Sequence, residues 1–163
     1  MGKKKNEIKK IRKDKSTDAE NRRSIAAMAA AGLADFSLIS LLQLGYFKNL
    51  PDIPGKVFNT KKVNTSKDAV MLGMPDGVIS LGAYAATMLL ATAGTRFKKR
   101  SRLFDLALGG IVLGQAIGAV QYLYKMAFVQ KKICIYCVTG AAINLSSLKP
   151  AYHLIKGKQM VTS

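Results

Sequence analysis

The sequence predicts an all-α integral membrane protein, a bundle of four transmembrane helices. Three observations predict it. The chain is strongly basic, with 26 Lys and Arg against 9 Asp and Glu, yet 49% of it is hydrophobic. The basic residues are clustered, before residue 24 and at residues 96–102. Between the clusters lie four apolar stretches long enough to cross the hydrocarbon core of a bilayer. A chain of 163 residues holds one such bundle and not two full domains.

Residues 1–24 read as a solvated basic tail on the cytoplasmic side. Its charge sets topology and attracts anionic lipid. Its charged region is too long for a cleaved signal peptide, as is the apolar run behind it. No stacking aromatics accompany its lysines, so nucleic acid is not its partner. The membrane domain follows at 25–155, with spans at 25–47, 70–93, 103–129 and 133–155. Helices are expected because a lipid-exposed segment must satisfy its backbone hydrogen bonds internally. Residues 48–69 form an outer loop, Gln130-Lys131-Lys132 a surface turn, and 156–163 a short cytoplasmic tail.

Ten Lys and Arg precede the first span, and the 96–102 cluster separates the second from the third. The positive-inside tendency puts both clusters in the cytoplasm. Lys156 and Lys158 then return to the same side. The loop at 48–69 faces outward, despite Lys48, Lys56, Lys61, Lys62 and Lys67. In a bacterial inner membrane that outer side is oxidising.

Within the spans, several residues stand out. Asp35 sits centrally in the first and reads as either a structural acid or a proton carrier. Met74-Pro75-Asp76-Gly77 lies near the start of the second, with Pro75 suited to an early helical position. Asp76 is then an electrostatic cap or a group that handles protons. Gly110, Gly114 and Gly118, broadened by Gly109, predict close approach of another helix to the third span. Gln115 and Gln121 are expected to point inward. Tyr122, Tyr124 and Phe128 form either an aromatic pocket or an interfacial belt. Asp105 is expected to pair with the inner basic cluster. Asn64, Thr65 and Ser66 would cap a short outer helix or frame a pocket.

The chemistry is concentrated in Cys134-Ile135-Tyr136-Cys137, which contains the only two cysteines. Cys-x-x-Cys at a helix start puts both sulfurs near free amides and the positive dipole end, which favours a thiolate. Such a thiolate attacks a disulfide, and its partner resolves the mixed intermediate. Inert structural cysteines are the alternative. A structural zinc needs about four ligands, and the other soft candidate, His153, lies at the far end of the fourth span. No metal is expected. Gly32 lacks the strand–loop–helix context of a phosphate loop, and no inverted repeat points to a transporter.

The stretch from Lys132 through Cys134, Cys137 and Thr139 to Asn144 resembles the vitamin K epoxide reductase family. Lys62-Val63-Asn64-Thr65-Ser66 and Leu72-Gly73-Met74-Pro75 strengthen the resemblance. It implies a quinone held between four helices at the outer side. Cys137 would be the thiol nearest the quinone, and Cys134 the exchanging or resolving thiol. It also implies a second, loop-borne cysteine pair that exchanges with a thioredoxin-like protein. Here that pair is missing: Thr60 and Asp52 occupy the corresponding region. Pro75 stands near the place of a polar substrate contact, and Ala141 at that of a tyrosine. This resembles bacterial members and implies a ubiquinone- or menaquinone-like substrate. The expected quinone-site residues are Pro75, Asp76, Gln121, Tyr122 and Ala141. The expected activity is quinone-linked thiol oxidation, with membrane lipid and a thioredoxin-like dithiol protein as partners. The alternative is a non-catalytic accessory protein that keeps the fold and binds lipid or a partner.

Overall fold

The computed structural model describes residues 2–93 and 101–157. Residues 96–100 of the inner basic cluster, and Lys158 with the rest of the tail, lie outside the described residues. The order is α1 (Gly2–Lys13), α2 (Thr17–Gln43), the short α3 (Thr60–Asn64), a 3-10 turn (Lys67–Ala69), β1 (Val70–Met71), β2 (Met74–Pro75), α4 (Asp76–Thr92), α5 (Arg102–Tyr124) and α6 (Ile135–Gly157). The last turns of α5 widen into a π-helix, Lys125–Gln130.

The basic N-terminal segment, expected as a solvated tail, is helical over Gly2–Lys13. Ser16 explains the break between α1 and α2. Its hydroxyl accepts from the Ala19 amide at 3.3 Å, and Asp18 and Glu20 sit in the first turn of α2, where the helix dipole favours acids. The Ser16 amide in turn donates to Asp14 at 2.9 Å and holds that carboxyl below its usual range. The first long helix therefore starts eight residues before the apolar run, and Ala19 is buried within it.

A second correction concerns residues 70–75. These apolar residues form an antiparallel hairpin, with Val70 opposite Pro75 and Met71 opposite Met74. Leu72 and Gly73 make the turn at φ 54° and 77°. Gly73 tolerates that conformation freely, whereas Leu72 adopts it at a steric cost. Helix α4 starts only at Asp76, with 17 residues, a length of about 25 Å at 1.5 Å per residue.

The four long helices pack in the cyclic order α2, α4, α5, α6. Ile25, Ala91, Leu108, Val112, Ala151 and Leu154 form the core at one end. Ile39, Val63, Met126, Cys134 and Cys137 form it at the other. Among the described residues, α2 and the continuous Arg102–Gln130 helix are long and apolar enough to cross a membrane, and α4 is a shorter apolar helix. The outer face of α5 carries exposed Leu106, Leu113, Ile117 and Val120, a surface suited to lipid and not to water. Asp105 is buried in the first turn of α5; the basic residues expected to pair with it fall largely at 96–100.

The glycine stripe on α5 was expected to receive a neighbouring helix. It does so only at Gly109, where a Cβ would overlap Ile155. Gly110, Gly114 and Gly118 face open space. Close helix packing instead uses Gly32 under the Tyr84 ring and Gly140 under the Phe36 ring, which links α2 to α4 and to α6.

Candidate redox site

Cys134 immediately precedes α6 and behaves as its N-terminal cap. Its carbonyl accepts from the Val138 amide at 3.0 Å, and its sulfur from the Cys137 amide at 3.1 Å. One helical turn brings the two cysteines to a Cα separation of 5.2 Å, and they form a disulfide. The Cys134 amide donates to Met126 Sδ at 3.2 Å, so the π-helix seats the start of α6.

The lysine-rich loop folds over this point. Ile133 donates to the Val57 carbonyl at 2.9 Å, and Asn59 donates to the Ile133 carbonyl at 3.0 Å, a parallel bridge just before Cys134. Asn59 then caps α3 by accepting from the Lys62 amide at 2.8 Å. Asn64, Thr65 and Ser66 were expected to cap such a helix or to frame a pocket. Asn64 ends the helix, with its side chain against both sulfurs. Its Nδ2 lies 3.2 Å from Cys134 Sγ and 3.5 Å from Cys137 Sγ. Ser66 accepts from Gln130 at 3.1 Å, and Lys125 pairs with Asp68 at 3.4 Å, which fastens the loop to the π-helix. Asp52 and Thr60, the residues standing where the resemblance implies loop cysteines, are in contact: the Thr60 amide donates to Asp52 Oδ2 at 2.5 Å. Neither side chain can carry electrons.

Under this cap, Cys137 opens onto a cavity of about 370 Å³ whose wall is mostly apolar. Of the residues expected around a substrate, Asp76, Tyr122 and Ala141 line it, together with Cys137. Pro75 lies outside it, in β2. Gln121 also lies outside, exposed on α5. The helical period explains this, since Gln115 and Tyr122 are seven residues apart and share a face that excludes Gln121. Gln115 lines the cavity, as do Gly114 and Gly118. Tyr124 and Phe128 are exposed and pack on each other at 5.0 Å, so they belong to the outer surface and not to the pocket.

Asn64 also lines the cavity; sequence reasoning missed Tyr84 and Asn144 as wall residues. Tyr84 donates to the Gly140 carbonyl at 3.3 Å. Asn144 lies seven residues after Cys137, on the same face of α6, and that spacing was the available signal. Gln43 was missed too. Its Nε2 donates to Asp76 Oδ1 at 2.5 Å and to the Asn64 carbonyl at 3.2 Å, while its Oε1 accepts from the Gly77 amide at 3.1 Å. Asp76 is thus partnered at the start of α4. Two buried groups on the wall, Gln115 Nε2 and Asn144 Oδ1, have no well-formed partner among the described residues, and Tyr122 Oη has only the Asp76 carboxyl beside it. No group of three His, Cys, Asp or Glu side chains assembles there among the described residues.

The fold and site define a class: a helical membrane protein with a Cys-x-x-Cys disulfide capping one helix and bordering an apolar cavity. The family model for the vitamin K epoxide reductase family matches residues 23–150, well over half of the chain. The chain belongs to that family. A search of curated proteins finds no match.

Proposed function

We propose that this protein is a four-span, quinone-linked thiol oxidoreductase of the bacterial inner membrane. Both termini lie in the cytoplasm and the cysteine pair at the outer face. A reduced Cys134/Cys137 pair gives two electrons and two protons to a ubiquinone- or menaquinone-like molecule, leaving the disulfide and a hydroquinone. An outside thioredoxin-like dithiol then reduces the disulfide.

The observation that carries this reading is the wall of the cavity. Cys137 borders an apolar space that also presents the Gln115 Nε2 donor without a partner and the Tyr122 hydroxyl, which has only the Asp76 carboxyl beside it. A quinone is a flat apolar ring with two carbonyl acceptors, and buried donors left unpaired are costly unless a ligand meets them. Family membership supports the same chemistry. Electrons have to reach the pair without a loop relay, because the sequence holds no cysteine besides Cys134 and Cys137.

One observation favours a second reading, a non-catalytic accessory protein. Cys134 is 0% exposed beneath the cap, and so closed to an outside donor in this conformation. The two readings separate in one assay. Purified protein in lipid is mixed with a reduced thioredoxin-like protein and a quinone, and quinone absorbance and cysteine redox state are followed together. The oxidoreductase turns over, Cys137→Ala abolishes turnover, and Cys134→Ser stops or traps thiol exchange. A pair that never cycles with several partners and quinones, while quinone binding survives both substitutions, establishes the accessory reading instead.

A further inference from the structure

Asn64 is 3% exposed and is held from two sides. Its carboxamide nitrogen carries two hydrogens. One serves the Thr60 carbonyl at 2.9 Å, one turn back on α3. The other is left for the sulfurs, 3.2 Å from Cys134 and 3.5 Å from Cys137. From behind, Gln43 fixes the Asn64 backbone, and Gln43 is itself fixed by Asp76 and Gly77. The donor therefore cannot easily turn away.

The two sulfurs are treated unequally. Cys134 Sγ is approached by two N–H donors, from Asn64 and from the Cys137 amide. Cys137 Sγ has one N–H approach, the longer one of the shared Asn64 hydrogen, lies 3.6 Å from the Asn64 Oδ1 acceptor, and borders the cavity. A disulfide sulfur is a weak acceptor, whereas a thiolate is a strong one, and charge-assisted hydrogen bonds are roughly twice as strong as neutral ones. Donors aimed at Cys134 thus stabilise the reduced pair more than the oxidised pair. They also select which cysteine carries the negative charge.

We propose that Asn64 is a positioning residue that sets the redox poise of the pair by holding Cys134 as the thiolate of the reduced site. Cys137 then remains the thiol that faces the cavity. On oxidation, the two sulfurs join and two electrons pass to the quinone, with one proton from Cys137 and one from the medium. This deepens the proposed oxidoreductase function, and its use in turnover rests on that reading. The hydrogen-bond geometry itself concerns the disulfide alone.

The test uses the full chain in lipid, equilibrated in dithiothreitol redox buffers, alkylated, and read as the reduced fraction. Asn64→Leu removes the donor, and the near-isosteric Asn64→Asp replaces it with an acceptor. Asn64→Leu should make the disulfide about tenfold harder to reduce, ~30 mV for two electrons. Asn64→Asp should move it further in the same direction. In a Cys137→Ser background, the pH profile of Cys134 alkylation should shift upward with Asn64→Leu by about one unit, the same tenfold read on a pH scale. Asn64→Asp, which preserves side-chain volume, decides the matter if Asn64→Leu does not fold. A folded variant with wild-type poise and an unmoved alkylation profile overturns the assignment. Quinone reduction is not measured, so this failure is distinct from failure of the proposed function. Conversely, a shifted poise in a protein that never reduces quinone leaves the Asn64 assignment standing.

Discussion

Gly114 and Gly140 both sit inside long helices, yet they meet opposite surroundings. A Cβ at Gly140 would collide with the Phe36 ring, whereas one at Gly114 would enter open cavity. Gly140→Ala should therefore cost about 1–3 kcal/mol through overpacking, seen as a lower thermal midpoint in detergent. Gly114→Ala should leave that midpoint unchanged or slightly raised, since Ala is the better helix former by up to about 1 kcal/mol. The same change narrows the cavity and, on the proposed function, should raise the quinone KM several-fold. If Gly114→Ala destabilises as strongly as Gly140→Ala, the stripe packs a helix and the cavity reading fails. The contrast also shows what the sequence made legible. Cys134 and Cys137 could be named from their spacing, Asp76 and Tyr122 from their places in the spans, and Ala141 only from the family resemblance. A row of glycines four apart could not be resolved, because a packing groove and a cavity wall both require small residues at helical spacing. Gln121 was misjudged because polarity within an apolar helix was taken to mean inward. At the end of a span, a glutamine reaches water or headgroups equally well.

At the scale of elements, α3 is a short lid held by few contacts. Helices this short have little intrinsic stability and depend on their caps and on packing. Asn59 caps α3, Val63 and Asn64 bury its inner side, and the bridge from Val57 and Asn59 to Ile133 ties it down. Because Cys134 is fully covered, the external dithiol of the proposed function would reach it only when this lid opens. Asn59→Ala removes the cap, at a typical cost of about 1 kcal/mol. That loss should raise the open population, and with it the rate of disulfide reduction by an external dithiol, by about fivefold, with little change in redox poise. Stopped-flow reduction alongside equilibrium titration separates the two quantities, and an unchanged rate would show that the donor approaches another way. The lid and the 70–75 hairpin were the least legible elements. Val70, Met71, Leu72 and Met74 are apolar enough to extend a span, and only the turn at Leu72-Gly73 marks the hairpin. The long helices were legible because their apolar runs far exceed any strand. Their starts were less so, since α2 begins at Ser16 by capping chemistry and not where hydrophobicity rises.

For the whole molecule, two surfaces have to be reconciled. The exposed apolar residues of α5, Leu113, Ile117 and Val120 among them, belong against lipid. The cap over the cysteines carries Lys48, Lys56, Lys61, Lys62 and Lys67, with Lys125, Lys131 and Lys132 nearby. Its two acids are both engaged, Asp52 with Thr60 and Asp68 with Lys125. Such a face runs against the positive-inside tendency if it lies outside, so charge alone argues for both orientations. The opposing weight is the N-terminal segment, where ten Lys and Arg precede Ile25. The five lysines of the 48–69 loop lie in a segment short enough for their charge to count, but ten Lys and Arg precede the first long apolar run. The N-terminal lysines are local to the first long helix, and that helix should dominate. The expected outcome is a cap outside and α1 inside. In a Cys134→Ser/Cys137→Ser background, Lys61→Cys should react with an impermeant maleimide in intact bacterial cells. Lys9→Cys should react only after lysis. The reverse pattern would place the disulfide in the reducing cytoplasm, and an outside dithiol could then no longer be its electron donor.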